Sequence, residues 1–112
     1  MTALRKLIDA VEAGSHEGGR TPFLPYPYSK GSTVMLAYCG SLNAAKALHE
    51  ALLPGFSAGI GFNPQKEGSV AIVFKTDERG MCNLDHPTYE SEARPEARAW
   101  LIAILKAYEA RT

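Results

Sequence analysis

A cysteine, a glycine and a serine stand together in the segment AYCGSLN, residues 37–43, immediately before an amphipathic helical pattern. Cys39 and Ser41 could act as nucleophiles, but a nucleophile elbow requires G-x-S-x-G, and only Gly40 is present. Gly40 and Ser41 could instead bind an anion at the start of the helix, where free N–H groups favour negative charge. The simplest interpretation is structural: Ser41 caps the helix, and Cys39 lies buried at the end of a strand.

A second concentration of reactive side chains lies in the segment MCNLDHP, which contains Cys82, Asp85 and His86. Thiolate, carboxylate and imidazole groups can bind zinc, but this spacing matches no zinc motif. A Cys–His catalytic pair could also form between Cys39 or Cys82 and either His49 or His86, yet no orienting third residue or oxyanion hole is recognisable. We therefore predict no catalytic residue, no metal site and no cofactor, and we interpret the segment as a turn.

Proline and aromatic residues alternate in the segment TPFLPYPYSKG, within a predicted loop insertion over residues 15–32. Each proline fixes its own φ angle and disfavours helix in the residue before it, so an extended loop is expected. Aromatic rings on a stiff loop lose little entropy on binding and are enriched at interfaces. We therefore predict that this loop contacts a protein partner or a second copy of the chain, through Phe23, Tyr26 and Tyr28. The alternative is that the rings fold back over an edge of the sheet.

Length and charge limit the classes of function. The 112 residues fit a single domain, and a hydrophobic fraction of 46% supplies a core. Twelve basic and twelve acidic residues cancel, so we expect no binding to nucleic acid or to an anionic membrane. No apolar run could span a bilayer, and the charge-interrupted N-terminus does not resemble a signal peptide. We therefore expect a cytoplasmic protein whose cysteines are free thiols.

Hydrophobic periodicity predicts three helices that position these segments. The first lies between Thr2, a possible cap, and Gly14, which can end a helix in the left-handed conformation. The second covers residues 42–53, and the third begins at Pro95 and directs Trp100 into the core.

Alternating patterns predict the strands. Residues 33–39 are apolar in both alternating sets, which suits a strand covered on both faces. Residues 56–63 and 69–76 should form an antiparallel hairpin, and residues 81–84 a short further strand. The predicted order is αβαβββα, an α/β sandwich of the α+β type with helices on both faces of a small, mostly antiparallel sheet of three to four strands. A two-layer α+β arrangement is the alternative.

Three segments along the chain together form one recognisable pattern: LRKLIDAVEAG, AYCGSLNAAKALHEALLPGF and ESEARPEARAWLIAILKAYEAR. The central motif, Y-x-x-S-L-[DN]-A-A followed by PG-[WF], falls on residues 38–45 and 54–56. In these features the chain resembles the phage ABA sandwich domain family, small proteins of bacteriophages and prophages, although Phe56 replaces the commoner tryptophan. The resemblance implies a sandwich fold and a phage or prophage origin. It implies no catalytic residue, because the family has no established activity.

The sequence therefore favours a phage or prophage accessory protein that is not an enzyme and binds another protein. The phage origin that the resemblance implies is the sole basis for placing the protein in a bacterial host cell, with a host protein or a component of a defence system as its partner. A domain that binds a small ligand or nucleotide at Gly40 and Ser41 is the alternative, and a cysteine-dependent enzyme is a third hypothesis.

Overall fold

The structure is a computed structural model that describes residues 3–15, 20–22, 24, 28–63, 68–75, 89–93 and 96–111. The helices are α1 (Ala3–Ala13), α2 (Ser32–Tyr38), α3 (Leu42–Leu52) and α4 (Glu96–Arg111), with a short 3₁₀ helix at Tyr28–Lys30. The strands are β1 (Phe56–Asn63), β2 (Gly68–Lys75) and β3 (Tyr89–Ala93). The chain is a small α+β domain in which a three-stranded antiparallel sheet packs against the helices, as the sequence predicts.

The sheet has the strand order β1-β2-β3. The predicted hairpin is confirmed, because β1 and β2 are antiparallel and pair from Phe56 opposite Lys75 to Asn63 opposite Gly68. The strand predicted at 81–84 lies outside the described residues. The third strand described is β3, which pairs antiparallel with β2. Its two glutamates suit a solvated segment, which is why the sequence does not predict a strand there.

The strand predicted over residues 33–39 is wrong, because this segment forms α2. The buried side chains are Val34, Ala37 and Tyr38, which have the i, i+3, i+4 spacing of one helix face, whereas Leu36 is 57% exposed. A short run of almost entirely apolar residues satisfies both the strand period and the helix period, so periodicity does not separate them. The predicted order αβαβββα is therefore corrected at its second element.

Helix α4 is the central element of the core. Every side chain from Leu101 to Leu105 is at most 1% exposed, so the helix is covered on all sides there. One side of α4 contacts the sheet, mainly β2 and β3, and α1, α2 and α3 also pack against α4. The sequence predicts helices on both faces of the sheet. Among the described elements, the extensive helix contact with the sheet is instead made by α4, and the other three helices contact α4.

Helix α1 follows the sequence prediction. Its buried side chains are Leu4, Leu7, Ile8 and Val11. Gly14 has φ 73° and ends the helix as predicted, with the amide of Ser15 bonded to the carbonyl of Ala10 at 2.9 Å. Arg5 and Glu109 form a 3.2 Å ion pair between α1 and α4. The hydrogen bond from Arg5 to Glu109 raises the pKa of the Arg5 guanidinium above its ordinary value.

Candidate functional site

The joint between α2 and α3 contains the residues that carry the candidate chemistry. Cys39 is the C-cap residue that directly follows α2, and Gly40 comes next with φ 118°. The amide of Gly40 donates to the carbonyl of Ala37 at 3.1 Å, and the amide of Ser41 donates to the carbonyl of Leu36 at 2.9 Å. This pair of bonds is the Schellman motif, in which a glycine reverses the chain after a helix. The joint therefore connects two helices, not a strand and a helix.

Ser41 caps α3, as predicted. Its hydroxyl oxygen accepts a hydrogen bond from the amide of Ala44 at 3.1 Å, and its carbonyl accepts from the amide of Ala45. This bond satisfies one of the amides that the first turn of a helix leaves without a partner. The serine hydroxyl therefore has a structural role, which is to stabilise the start of α3.

Cys39 is exposed, which corrects the expectation that it is buried at a strand end. The reason is that this segment forms a helix and not the predicted strand. Cys39 continues the exposed face of α2 that carries Ser32 and Leu36. A nucleophile elbow also requires a strand before the turn, and α2 stands in that position. Cys82 lies outside the described residues.

Two large apolar side chains are exposed at the same joint, and the sequence prediction missed them. Leu36 is 57% exposed and Leu42 is 44% exposed. The hydrogen bond from the amide of Ser41 to the carbonyl of Leu36 brings the two leucine positions close together along the backbone. Cys39, which is also exposed, belongs to the same joint, and we call these three exposed residues the leucine patch: Leu36, Cys39 and Leu42. The exposure of these leucines can be predicted from the sequence only when residues 33–39 are interpreted as a helix.

The aromatic loop is fastened to the domain at the points that the structure describes. The amide of Thr21 donates to the carbonyl of Ser29 at 2.8 Å, and its hydroxyl donates to the carbonyl of Tyr28 at 2.6 Å. Leu24 is buried in the core, and Tyr28 packs against the core with its side chain half-buried. The other two predicted interface residues, Phe23 and Tyr26, lie outside the described residues. The prediction of an interface in this loop therefore stays a prediction.

His49 is buried between α3, α4 and the start of β1. Its Nε2 lies 2.9 Å from the carbonyl oxygen of Phe56, and its Nδ1 lies 3.3 Å from Nε1 of Trp100. Both ring nitrogens therefore have partners within the core, which leaves His49 no free nitrogen to activate Cys39 or to bind a metal. His49 is a packing histidine at the edge of an apolar helix face.

Arg98, near the start of α4, holds the end of α2. Its guanidinium carbon lies 3.9 Å from the centre of the Tyr38 ring, and its Nε donates to the Tyr38 carbonyl oxygen at 3.0 Å. A cation beside the last carbonyls of a helix is favourable because the helix dipole places negative charge there. Arg98 therefore fixes the joint that presents the leucine patch.

Within the described ranges, no group of three or more His, Cys, Asp or Glu side chains could hold a metal ion. Cys82, Asp85 and His86 lie outside those ranges. None of the helices that the structure describes is both long enough and apolar enough to cross a membrane.

Comparisons of the chain with protein-family models, with curated proteins and with solved structures find no match.

Proposed function

We propose that this chain is a non-enzymatic binding module that contacts another protein, as an accessory protein encoded by a phage or prophage. The observation that carries the proposal is the leucine patch, where Leu36 and Leu42 are exposed on one rigid joint. Exposed apolar side chains that lie together are typical of surfaces that bind proteins. The phage origin rests on the sequence resemblance, and it makes a host protein the expected partner.

The architecture of the joint supports binding without a large change of shape. The Schellman bonds, the Ser41 cap and the contacts of Arg98 hold the ends of α2 and α3 in one geometry. A surface that is rigid before binding loses little conformational entropy when it binds. The zero formal net charge also fits a partner recognised by apolar contact better than a strongly charged partner.

The test is affinity capture from a bacterial host lysate with purified variants as baits. Leu36→Ser/Leu42→Ser should lose a partner that the wild type retains, whereas Ala51→Ser/Ala110→Ser, which changes two other exposed apolar residues, should retain it. Thermal unfolding of each bait checks whether its fold is intact. Identical captured proteins for all baits, or none for the wild type, would argue against the proposal.

The aromatic loop needs its own variant. Phe23→Ala/Tyr26→Ala leaves Tyr28, which packs on the core, unchanged. Loss of the same partner from this bait would extend the interface from the leucine patch into the loop. Retention of the partner would confine the interface to the α2–α3 joint.

Small-ligand or nucleotide binding at Gly40 and Ser41 is the second candidate. One observation favours it: the amides of Leu42 and Asn43 make no hydrogen bond to any described residue, although they point out of the helix start. Nucleotides and inorganic phosphate should then raise the unfolding temperature of the wild type. If none of them does so, this candidate is excluded.

A further inference from the structure

Among the strands that the structure describes, β1 lies at one edge of the sheet, and its hydrogen bonds show which backbone groups face outward. The amide of Phe56 donates to the carbonyl of Leu53 at 3.1 Å, and the carbonyl of Phe56 accepts from His49 at 2.9 Å. Both groups therefore point away from β2. In an antiparallel pair the residues alternate between bonding to the partner strand and facing the other way. Because the pairing register is unbroken, Ala58 and Ile60 also direct their amide and carbonyl groups outward.

These outward groups lack partners within the part of the chain that the structure describes. No hydrogen bond joins the backbone of Ala58 or Ile60 to a described residue outside the sheet. The side chain of Ile60 is 37% exposed, and Gly61 beside it is exposed as well. A row of unpaired amides and carbonyls is a template for another strand.

The two edges of the sheet differ in charge. The same alternation places the amides and carbonyls of Glu90 and Glu92 on the outer edge of β3. Charged residues on an edge oppose pairing with another chain, and β3 is only five residues long. By contrast, β1 has eight residues and contains neither a charged residue nor a proline. Within the described residues, the edge of β1 therefore carries none of the usual features that prevent strand addition.

We infer that two copies of this chain associate through β1, which pairs antiparallel with β1 of the second copy and joins the two sheets into one. A second copy fits this edge because an antiparallel pair of identical strands is related by a two-fold axis, so each copy offers the surface that the other requires. Pairing an uncharged strand with itself brings no like charges together. This inference uses β1 and does not depend on the function proposed for the leucine patch.

Light scattering and sedimentation measure the mass of the protein across a concentration series. The wild type should reach twice the 12.1 kDa mass of the chain. Ile60→Lys places a charge on the edge and should return the protein to the mass of one chain. Glu90→Lys, which introduces the same residue on the opposite edge, should leave the dimer intact. A wild type of single-chain mass at every concentration, or a dimer that Ile60→Lys does not affect, would overturn the inference.

Amide hydrogen exchange in the wild type tests the same pairing without a variant. The amides of Ala58 and Ile60 should exchange at least about tenfold more slowly in concentrated than in dilute protein, since association gives them partners that the described part of the chain does not. The amides of Ser57 and Gly59, which bond to β2, provide an internal control and should be protected at every concentration. A dimer whose Ala58 and Ile60 amides exchange at the dilute rate would place its interface elsewhere and would also overturn the inference.

Discussion

Trp100 donates its indole N–H to Nδ1 of His49, with 3.3 Å between the two nitrogens, and the centroids of the two rings lie 5.7 Å apart. An indole nitrogen can only donate, so Nδ1 of His49 must accept. The proton of the neutral imidazole is then on Nε2, which donates to the carbonyl oxygen of Phe56. One histidine thus connects α3, α4 and the start of β1 through bonds of fixed direction.

Trp100→Phe should lower the free energy of unfolding by about 1–3 kcal/mol, because it leaves the buried Nδ1 of His49 without its donor. Urea unfolding followed by circular dichroism measures the change. A double-mutant cycle with His49→Leu separates the hydrogen bond from the lost ring volume. In the His49→Leu background, Trp100→Phe should cost less than in the wild type. Equal costs in the two backgrounds would mean that the bond contributes nothing.

Arg98→Lys should destabilise the domain by about 1–2 kcal/mol, although the charge is kept. Lysine has no planar guanidinium to stack on Tyr38 and no Nε–H at the position that contacts the Tyr38 carbonyl. Chemical denaturation measures the loss, and Arg5→Lys is the matched control. Because Arg5 forms its ion pairs at the exposed surface, this control should leave the unfolding midpoint unchanged. Equal effects of the two substitutions would refute the role given to Arg98.

Ser41→Ala should cost about 1 kcal/mol, since the amide of Ala44 loses the side-chain oxygen that caps α3. Ser32→Ala provides the comparison, because Ser32 is exposed at the start of α2. That change should stay within about 0.5 kcal/mol of the wild type. Thermal and urea unfolding of both variants give the difference. A neutral Ser41→Ala variant would show that the cap is dispensable.

Ala103→Leu should destabilise the protein by about 1–3 kcal/mol, because Ala103 is fully buried in the central helix and a larger side chain must displace its packed neighbours. Ala110→Leu makes the same change at an exposed position of α4 and should alter stability by less than about 0.5 kcal/mol. The measurement is the free energy of unfolding. If Ala103→Leu is tolerated as well as Ala110→Leu, the helix is less tightly enclosed than the structure indicates.

The α2–α3 joint shows how far local sequence determines the candidate site. The N-cap role of Ser41 is predictable, because a serine before an amphipathic pattern satisfies helix amides from within a few residues. The exposure of Cys39 and of the leucines is not predictable in this way. It depends on which face of α2 meets the core, and a run of apolar residues does not specify that face.

The sequence by itself determined α1, α3, α4 and the β1–β2 hairpin, because each has a distinct period with glycine, serine or proline signals at its ends. Tertiary structure decided the rest. Burial of Val34, Ala37 and Tyr38 selected helix for residues 33–39, and pairing with β2 made a strand of Tyr89–Ala93. The enclosure of α4 between the sheet and three helices likewise arises only when the chain is folded. These outcomes depend on contacts between distant residues, and such contacts leave no period in the local sequence.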